Sequence, residues 1–171
     1  MKGFDISHYQ NEKGQLDWIK IKKAGYEFVD IKCTEGLGFI DPYFNLNRKN
    51  ARAVGILSGA YHFARGNDSR AEAEHFVKSV GEMQAGEGLD LDWEIKHSDP
   101  VSWCLSFLER VYELTDIKPF IYLNESTVRY WDWTPVVSAG YGLWIAKYPY
   151  NDAGVLPNFT PVSDEWPFIA I

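Results

Sequence analysis

Short apolar segments alternate with helical ones along most of this chain, and that rhythm restricts the fold more than any single motif. Residues 2–7 (KGFDIS) and 27–33 (EFVDIKC) read as the first two strands, with a helix over 16–25 that Gly25 closes. The stretch 41–55 predicts a second helix, with Asp41 as N-cap, Pro42 at the first helical position and Gly55 at the stop. Residues 56–64 (ILSGAYHFA) form the third strand. A helix over 69–81 then opens with the capping box Ser69-x-x-Glu72. A fourth strand at 87–94 is followed by a helix over 99–116 that again starts Asp-Pro, with Val101, Cys104, Leu108 and Val111 at helical spacing. Further strands fall at 118–124, at 141–148 and from Trp166, and Asn124 caps a short helix. Strands separated by helices of this length mean parallel βαβ units, hence a barrel or an open doubly wound sheet.

The fourth strand carries the chemistry. In EGLDLDWE, residues 87–94, Asp90, Asp92 and Glu94 alternate with Leu89, Leu91 and Trp93. Alternate side chains of a strand share a face, so three carboxyl groups point one way and three apolar groups the other. In a closed barrel the apolar set suits the helix side, which leaves the acids in the lumen, with Glu94 at the C-terminal end where barrel enzymes place their chemistry. Asp92 is about 7 Å from Glu94 along that face. Like charges so close favour one acid keeping its proton, and a proton donor beside a carboxylate is what glycosidic cleavage requires. A solvent-facing acidic strand does not explain the apolar face, and a cation site would call on further oxygen ligands such as Asp5. The first strand repeats the pattern, with Phe4 and Ile6 on one face and Asp5 and Ser7 on the other. Asp30 and Lys32 alternate likewise in the second.

Composition excludes other classes. The net charge is −7 with no cluster of basic residues, which argues against a nucleic-acid partner. No apolar run reaches the roughly 20 residues of a membrane span, so no membrane insertion is expected. Neither glycine-rich phosphate-loop pattern occurs, and neither a cofactor nor a metal is expected. Cys33 and Cys104 read as two buried free thiols. Residues 1–10 hold no apolar core of a signal peptide.

The segments GFDISHYQ, IKCTEG followed by DPYF, GAYHFAR, DLDWE and LWIAKY, in this order and spacing, resemble the family 25 glycoside hydrolases, the Chalaropsis-type lysozymes of phage endolysins and bacterial autolysins. The resemblance runs from Phe4 to Ile171. It implies an α/β fold, an irregular (β/α)5(β)3 TIM-like barrel, with residues 1–171 as one catalytic domain. It also implies hydrolysis of the β-1,4 bond between N-acetylmuramic acid and N-acetylglucosamine, so the partner is bacterial cell-wall peptidoglycan. By position, Glu94 is the general acid/base, Asp92 its partner and Asp5 the acid of the first strand. Tyr61 would position the reacting sugar, and Tyr122, Trp144 and Tyr148 fall where the family lines its groove; Lys32 joins this substrate-facing set. His62, opposite Tyr61 by alternation, reads as structural. Residues 87–94 also resemble the acid strand of family 18 chitinases, and an inactive wall-binding barrel is the reading from another class.

The resemblance implies a substrate-assisted, retaining mechanism, with an inverting scheme based on Asp5 or a later acid as its alternative. Asp90, one layer deeper than Asp92, is expected to be paired with Lys32 or hydrogen-bonded to a tyrosine, because an unpaired buried charge is costly. Asp5 so near the start leaves no room for a leader, which predicts a phage endolysin held in the host cytoplasm until it is released to the wall. In the family the last strand continues into a Trp-Gln-Tyr segment, with a fourth acid beyond it. The chain is therefore expected to be truncated in its last strand, to precede a wall-binding domain, and to self-associate through the open barrel edge.

Overall fold

The computed structural model describes residues 1–146, 166 and 169–170. Its frame is a parallel sheet curled into a half-barrel and coated on its outer face by helices. The strands are β1 (Gly3–Ile6), β2 (Phe28–Glu35), β3 (Phe39–Ile40), β4 (Leu57–Phe63), β5 (Leu89–Asp92), β6 (Phe120–Asn124), β7 (Gly142–Ala146) and β8 (Ile169–Ala170). They pair in the order β1-β2-β4-β5-β6-β7-β8. All of these ladders are parallel. β3 folds back antiparallel on β2, an element without a counterpart in the strand reading above. The helices are α1 (His8–Glu12), α2 (Trp18–Lys23), α3 (Phe44–Ala53), α4 (Ser69–Val80), α5 (Pro100–Thr115), α6 (Glu125–Tyr130) and α7 (Thr134–Ser138). No described helix is long and apolar enough to cross a membrane.

The alternation of each strand decides its two faces. Val29, Ile31 and Cys33 of β2, Leu89 and Leu91 of β5, Ile121 and Leu123 of β6 and Leu143 and Ile145 of β7 are all buried on the helix side. They meet Phe76 and Val80 of α4 and Phe107, Leu108 and Val111 of α5 in one core. Each such side chain contributes roughly 1.5–3 kcal/mol by leaving water. Phe107 stacks on His62 at 5.0 Å and on Trp103 at 5.7 Å, so it joins α5 to β4. Removing its ring would cost about 3–5 kcal/mol. Cys33 and Cys104 are both buried free thiols.

Two helix starts differ from the sequence pattern. Asp41 does not cap α3; its carboxylate accepts from the backbone N–H groups of Tyr43 and His8, tying β1's exit to the turn before the helix. At α4 the cap is Asp68, which accepts from the Ala71 N–H at 2.8 Å, while Ser69 sits inside the helix and bonds Ser106. Glu72 is drawn away from a capping box by stronger partners in the core. Asp99 and Asn124 do cap their helices as expected, accepting from Ser102 and Thr127.

Candidate active site

Parallel strands place all their C-terminal ends on one side, and the curl brings the inward residues of β1 to β7 together there. The register sets them in rows. Asp5 of β1 lies beside Asp30 of β2, which lies beside Gly59 of β4. One row up, Lys32 is beside Tyr61, and Tyr61 beside Asp90. Above that, Phe63, Asp92, Tyr122 and Trp144 run across β4, β5, β6 and β7. Asp92 is the last residue of β5, and Glu94, two residues on, is exposed at the rim.

These residues enclose one open cavity of about 320 Å³. The candidate acids Asp5, Asp92 and Glu94 line it, and so do Lys32, Tyr61, Tyr122 and Trp144. Tyr148 lies outside the described residues. Ser7, Tyr9, Phe63 and Asp30 also line the cavity, though sequence reasoning gave none of them a role. For Asp30, Ser7 and Phe63 the signal was present, since each stands on an inward position of its strand or just beyond it. Tyr9 lies on α1, and its position depends on how the chain turns after β1, which alternation does not encode. Tyr122 meets Trp144 edge-on at 6.1 Å, and Trp144 in turn meets Phe28 at 5.9 Å, so the β6–β7 wall is aromatic.

The electrostatics are those of crowded acids in a half-dry pocket. Burial pushes the Asp92 carboxyl up to about 8, and the Glu94 charge adds to the rise while Lys32 opposes it. Asp92 is half-buried, but its Oδ1 is shielded and without a hydrogen-bond partner among the described residues. Asp90 is raised to about 7 by burial. Asp30 is raised well above the carboxylate range by burial and then by the charges of Asp90, Asp5 and Asp92. Tyr61 is driven up by burial and then by the charges of Asp30, Asp92, Asp5 and Asp41, so it stays a neutral hydrogen-bond donor.

The expected partner of Asp90 is engaged elsewhere. The Lys32 ammonium pairs with Glu35, three residues along β2, and lies 4.8 Å above the Phe63 ring. Arg65 holds the other oxygen of Glu35 at 2.7 Å. Among the described residues Asp90 has neither the expected ion pair with Lys32 nor a tyrosine hydrogen bond, and burial raises its carboxyl to about 7. His62 is structural, as expected: it is fully buried on the helix side between Thr34 and Glu72. Among the described residues no cluster of three or more His, Cys, Asp or Glu side chains is arranged to hold a metal ion.

The chain is similar to known proteins. Lysozyme M1 of Streptomyces globisporus is 43% identical over 83 residues, a match covering 47% of this chain and 27% of that one. The match thus corresponds to little more than a quarter of that relative's length. The N,O-diacetylmuramidase of Chalaropsis sp is 32% identical over 145 residues, covering 74% of this chain and 67% of that enzyme. Among solved structures, the CTP1L endolysin superposes with a TM-score of 0.79 at 27% identity, covering 97% of this chain and 56% of that one. The family model described as glycosyl hydrolases family 25 matches residues 4–168, nearly the whole sequence. The chain belongs to glycosyl hydrolases family 25.

Proposed function

We propose that this chain is the catalytic domain of a muramidase, cleaving the β-1,4 bond between N-acetylmuramic acid and N-acetylglucosamine in bacterial peptidoglycan. The observation that carries the reading is the placing of Asp92 and Glu94 at the end of β5, opening on one cavity with an aromatic wall. Burial first, and then the Glu94 charge, push Asp92 up to about 8, so the site holds a transferable proton near neutrality. That gives the site an acid and a base together.

In the mechanism this supports, Glu94 at the rim donates its proton to the glycosidic oxygen as the bond to the anomeric carbon breaks. The substrate's own N-acetyl oxygen attacks that carbon from the other side, oriented through its N–H by Asp92. Water, deprotonated by Glu94, then opens the oxazolinium-like ion, with overall retention of configuration. The cationic, oxocarbenium-like transition state is favoured by the negative potential of Asp5 and the deeper acids. Tyr122 and Trp144 would offer flat faces for sugar rings, and the Tyr61 hydroxyl would hydrogen-bond the reacting unit.

The finer reading of the fold is the irregular (β/α)5(β)3 barrel, with residues 1–171 as its catalytic domain. Phage endolysin is the biological reading that fits a wall hydrolase of this kind, held in the host cytoplasm until release. The test is digestion of purified peptidoglycan followed by mass spectrometry of the fragments. Muramidase activity leaves new reducing ends on N-acetylmuramic acid. Reducing N-acetylglucosamine ends, or cleavage of chitin oligosaccharides but not of walls, would overturn the reading. The anomer of the first-formed product, read by NMR, decides between retention and inversion.

A further inference from the structure

Beneath the catalytic carboxyls lies a second pair that the mechanism above does not use. Asp30 of β2 and Asp90 of β5 are both more than nine-tenths buried, at 5% and 7% exposure. They belong to strands separated by β4, yet they converge across it because Gly59 has no side chain. A Cβ built on Gly59 would lie 2.7 Å from Asp30 Oδ1 and 3.6 Å from Asp90 Oδ2. The two oxygens are therefore no farther apart than those distances laid end to end. A Cβ on Gly88 would lie 3.7 Å from the same Asp90 oxygen, so a second glycine clears space for it. Asp30 Oδ1 is shielded from water and has no hydrogen-bond partner among the described residues. Lys32, the basic residue of this cavity, is committed to Glu35.

Two carboxylates whose oxygens lie within those two lengths of each other, both buried and neither with an ion pair among the described residues, are costly to ionise together; one proton kept by the pair removes most of the repulsion. We propose that Asp30 and Asp90 form an acid pair that shares one proton beneath the active site and, through its single remaining charge, sets the pH range over which Asp92 and Glu94 work. They act as positioning residues for protons, since Asp90 stands one row and Asp30 two rows below Asp92. The other titratable groups facing the pair are Asp5 from β1, Tyr61 from β4 and Asp92 with Glu94 from β5 and its exit. The cations near the pair are Lys32, held by Glu35, and the amino terminus of Met1, which lines a second cavity with Asp30 and Asp90. Asp90 and Asp92 share a face two residues apart, about 7 Å. One unit charge at that range, in a medium between protein and water, moves a neighbouring carboxyl by about one pH unit.

The inference rests on Asp92 and Glu94 as the catalytic pair, so its test includes a readout that needs no substrate. Aspartate carboxyls labelled with carbon-13 are titrated by NMR in the wild type and in the double variant Asp30→Asn/Asp90→Asn. In the wild type, the pair is expected to lose its first proton near neutrality and to keep the second beyond it. In the double variant the late step vanishes and Asp92 titrates about one unit lower. The alkaline limb of the kcat/KM profile for wall lysis moves to lower pH by a similar amount. Full ionisation of both Asp30 and Asp90 by pH 6 in the wild type would overturn the shared proton. An Asp92 titration unchanged in the double variant would overturn the coupling. Absence of wall lysis in the wild type would count against the muramidase reading alone, because the carboxyl titrations are decided without it.

Discussion

Glu72 and Asp92 are carboxyls served by opposite faces of the same sheet, and the protein treats them in opposite ways. Glu72 reaches from α4 to the helix side of β4, where it is wholly buried and accepts from His62 Nε2, the N–H groups of Arg65 and Asn67 and the Asn67 amide. Burial raises such a group, but these hydrogen bonds outweigh it and the net shift is down, so Glu72 is a carboxylate. His62, lowered by burial, stays neutral; its Nε2–H donates to Glu72 and its Nδ1 accepts from the Thr34 hydroxyl. Asp92 faces the lumen with one shielded oxygen that has no hydrogen-bond partner among the described residues, and its shift is upward. A carboxylate whose lone pairs are all used holds structure, whereas one left short of donors is free to exchange a proton with a substrate or a neighbour.

The sharpest way to break that contrast is at the rim. Glu94→Gln keeps size and polarity but removes the transferable proton. Wall lysis should fall by at least about 100-fold, the usual scale of lost general acid–base catalysis, with the circular dichroism spectrum unchanged. Lysis near the wild-type rate would show that the lumen acids are not the reacting groups.

On the helix side, Glu72→Ala should do the reverse. It leaves buried donors of His62, Asn67 and the Arg65 backbone without an acceptor, at a cost of roughly 3 kcal/mol. For a chain of this size that lowers Tm by on the order of 10 °C. Activity per folded molecule should be retained below the transition. A Tm within a degree or two of wild type would mean that the network is not what anchors the loop after β4.

Much of this contrast was legible in the sequence, because strand alternation is a strong local rule. It assigned Asp5, Asp90, Asp92 and Glu94 to the lumen and His62 to the face opposite Tyr61, while Tyr61, Tyr122 and Trp144 came from the family resemblance. The partners were not legible. Lys32 shares a face with the lumen acids, so charge alone matched it to Asp90. The register irregularity in β2 between Lys32 and Thr34 accompanies the pairing of Lys32 with Glu35, three residues along, which Arg65 just beyond β4 also grips. Ser69 and Glu72 fit a capping box at the level of spacing, yet Glu72 is more strongly held by four core donors than it would be by a solvent-facing backbone N–H. Local patterns predicted orientation; competition among distant partners decided pairing.

Stability against pH should separate the two faces next. A lumen acid raised to about 8, against roughly 4 in the unfolded chain, keeps its proton in the folded state while the unfolded chain has lost it. Its contribution is therefore full below about pH 4 and is lost as pH rises from there to about 8. Glu72, lowered on folding, contributes above the unfolded value and loses that contribution as pH falls through its folded one. Asp92→Asn should thus raise Tm at pH 8 relative to wild type and leave Tm near pH 4 little changed, while reducing lysis. An equal change at both pH values would mean that Asp92 is ionised in the folded protein.

The smallest effect tests how α4 is fixed at the point where it presents Glu72. Asp68, not Ser69, accepts from the first-turn N–H of Ala71, and its carboxylate also lies at the positive end of the helix. Asp68→Ala should cost about 1 kcal/mol, and Asp68→Asn, which keeps the acceptor without the charge, only a few tenths. Ser69→Ala loses one hydroxyl bond to Ser106 and no cap, so its cost should stay near the low end for a single hydrogen bond, about 0.5 kcal/mol. The three variants, compared by urea denaturation with a common m-value, rank Asp68→Ala first. If Ser69→Ala proved the most damaging, the helix would begin one residue later than it does here. Glu72 would then hold its buried donors by a different route.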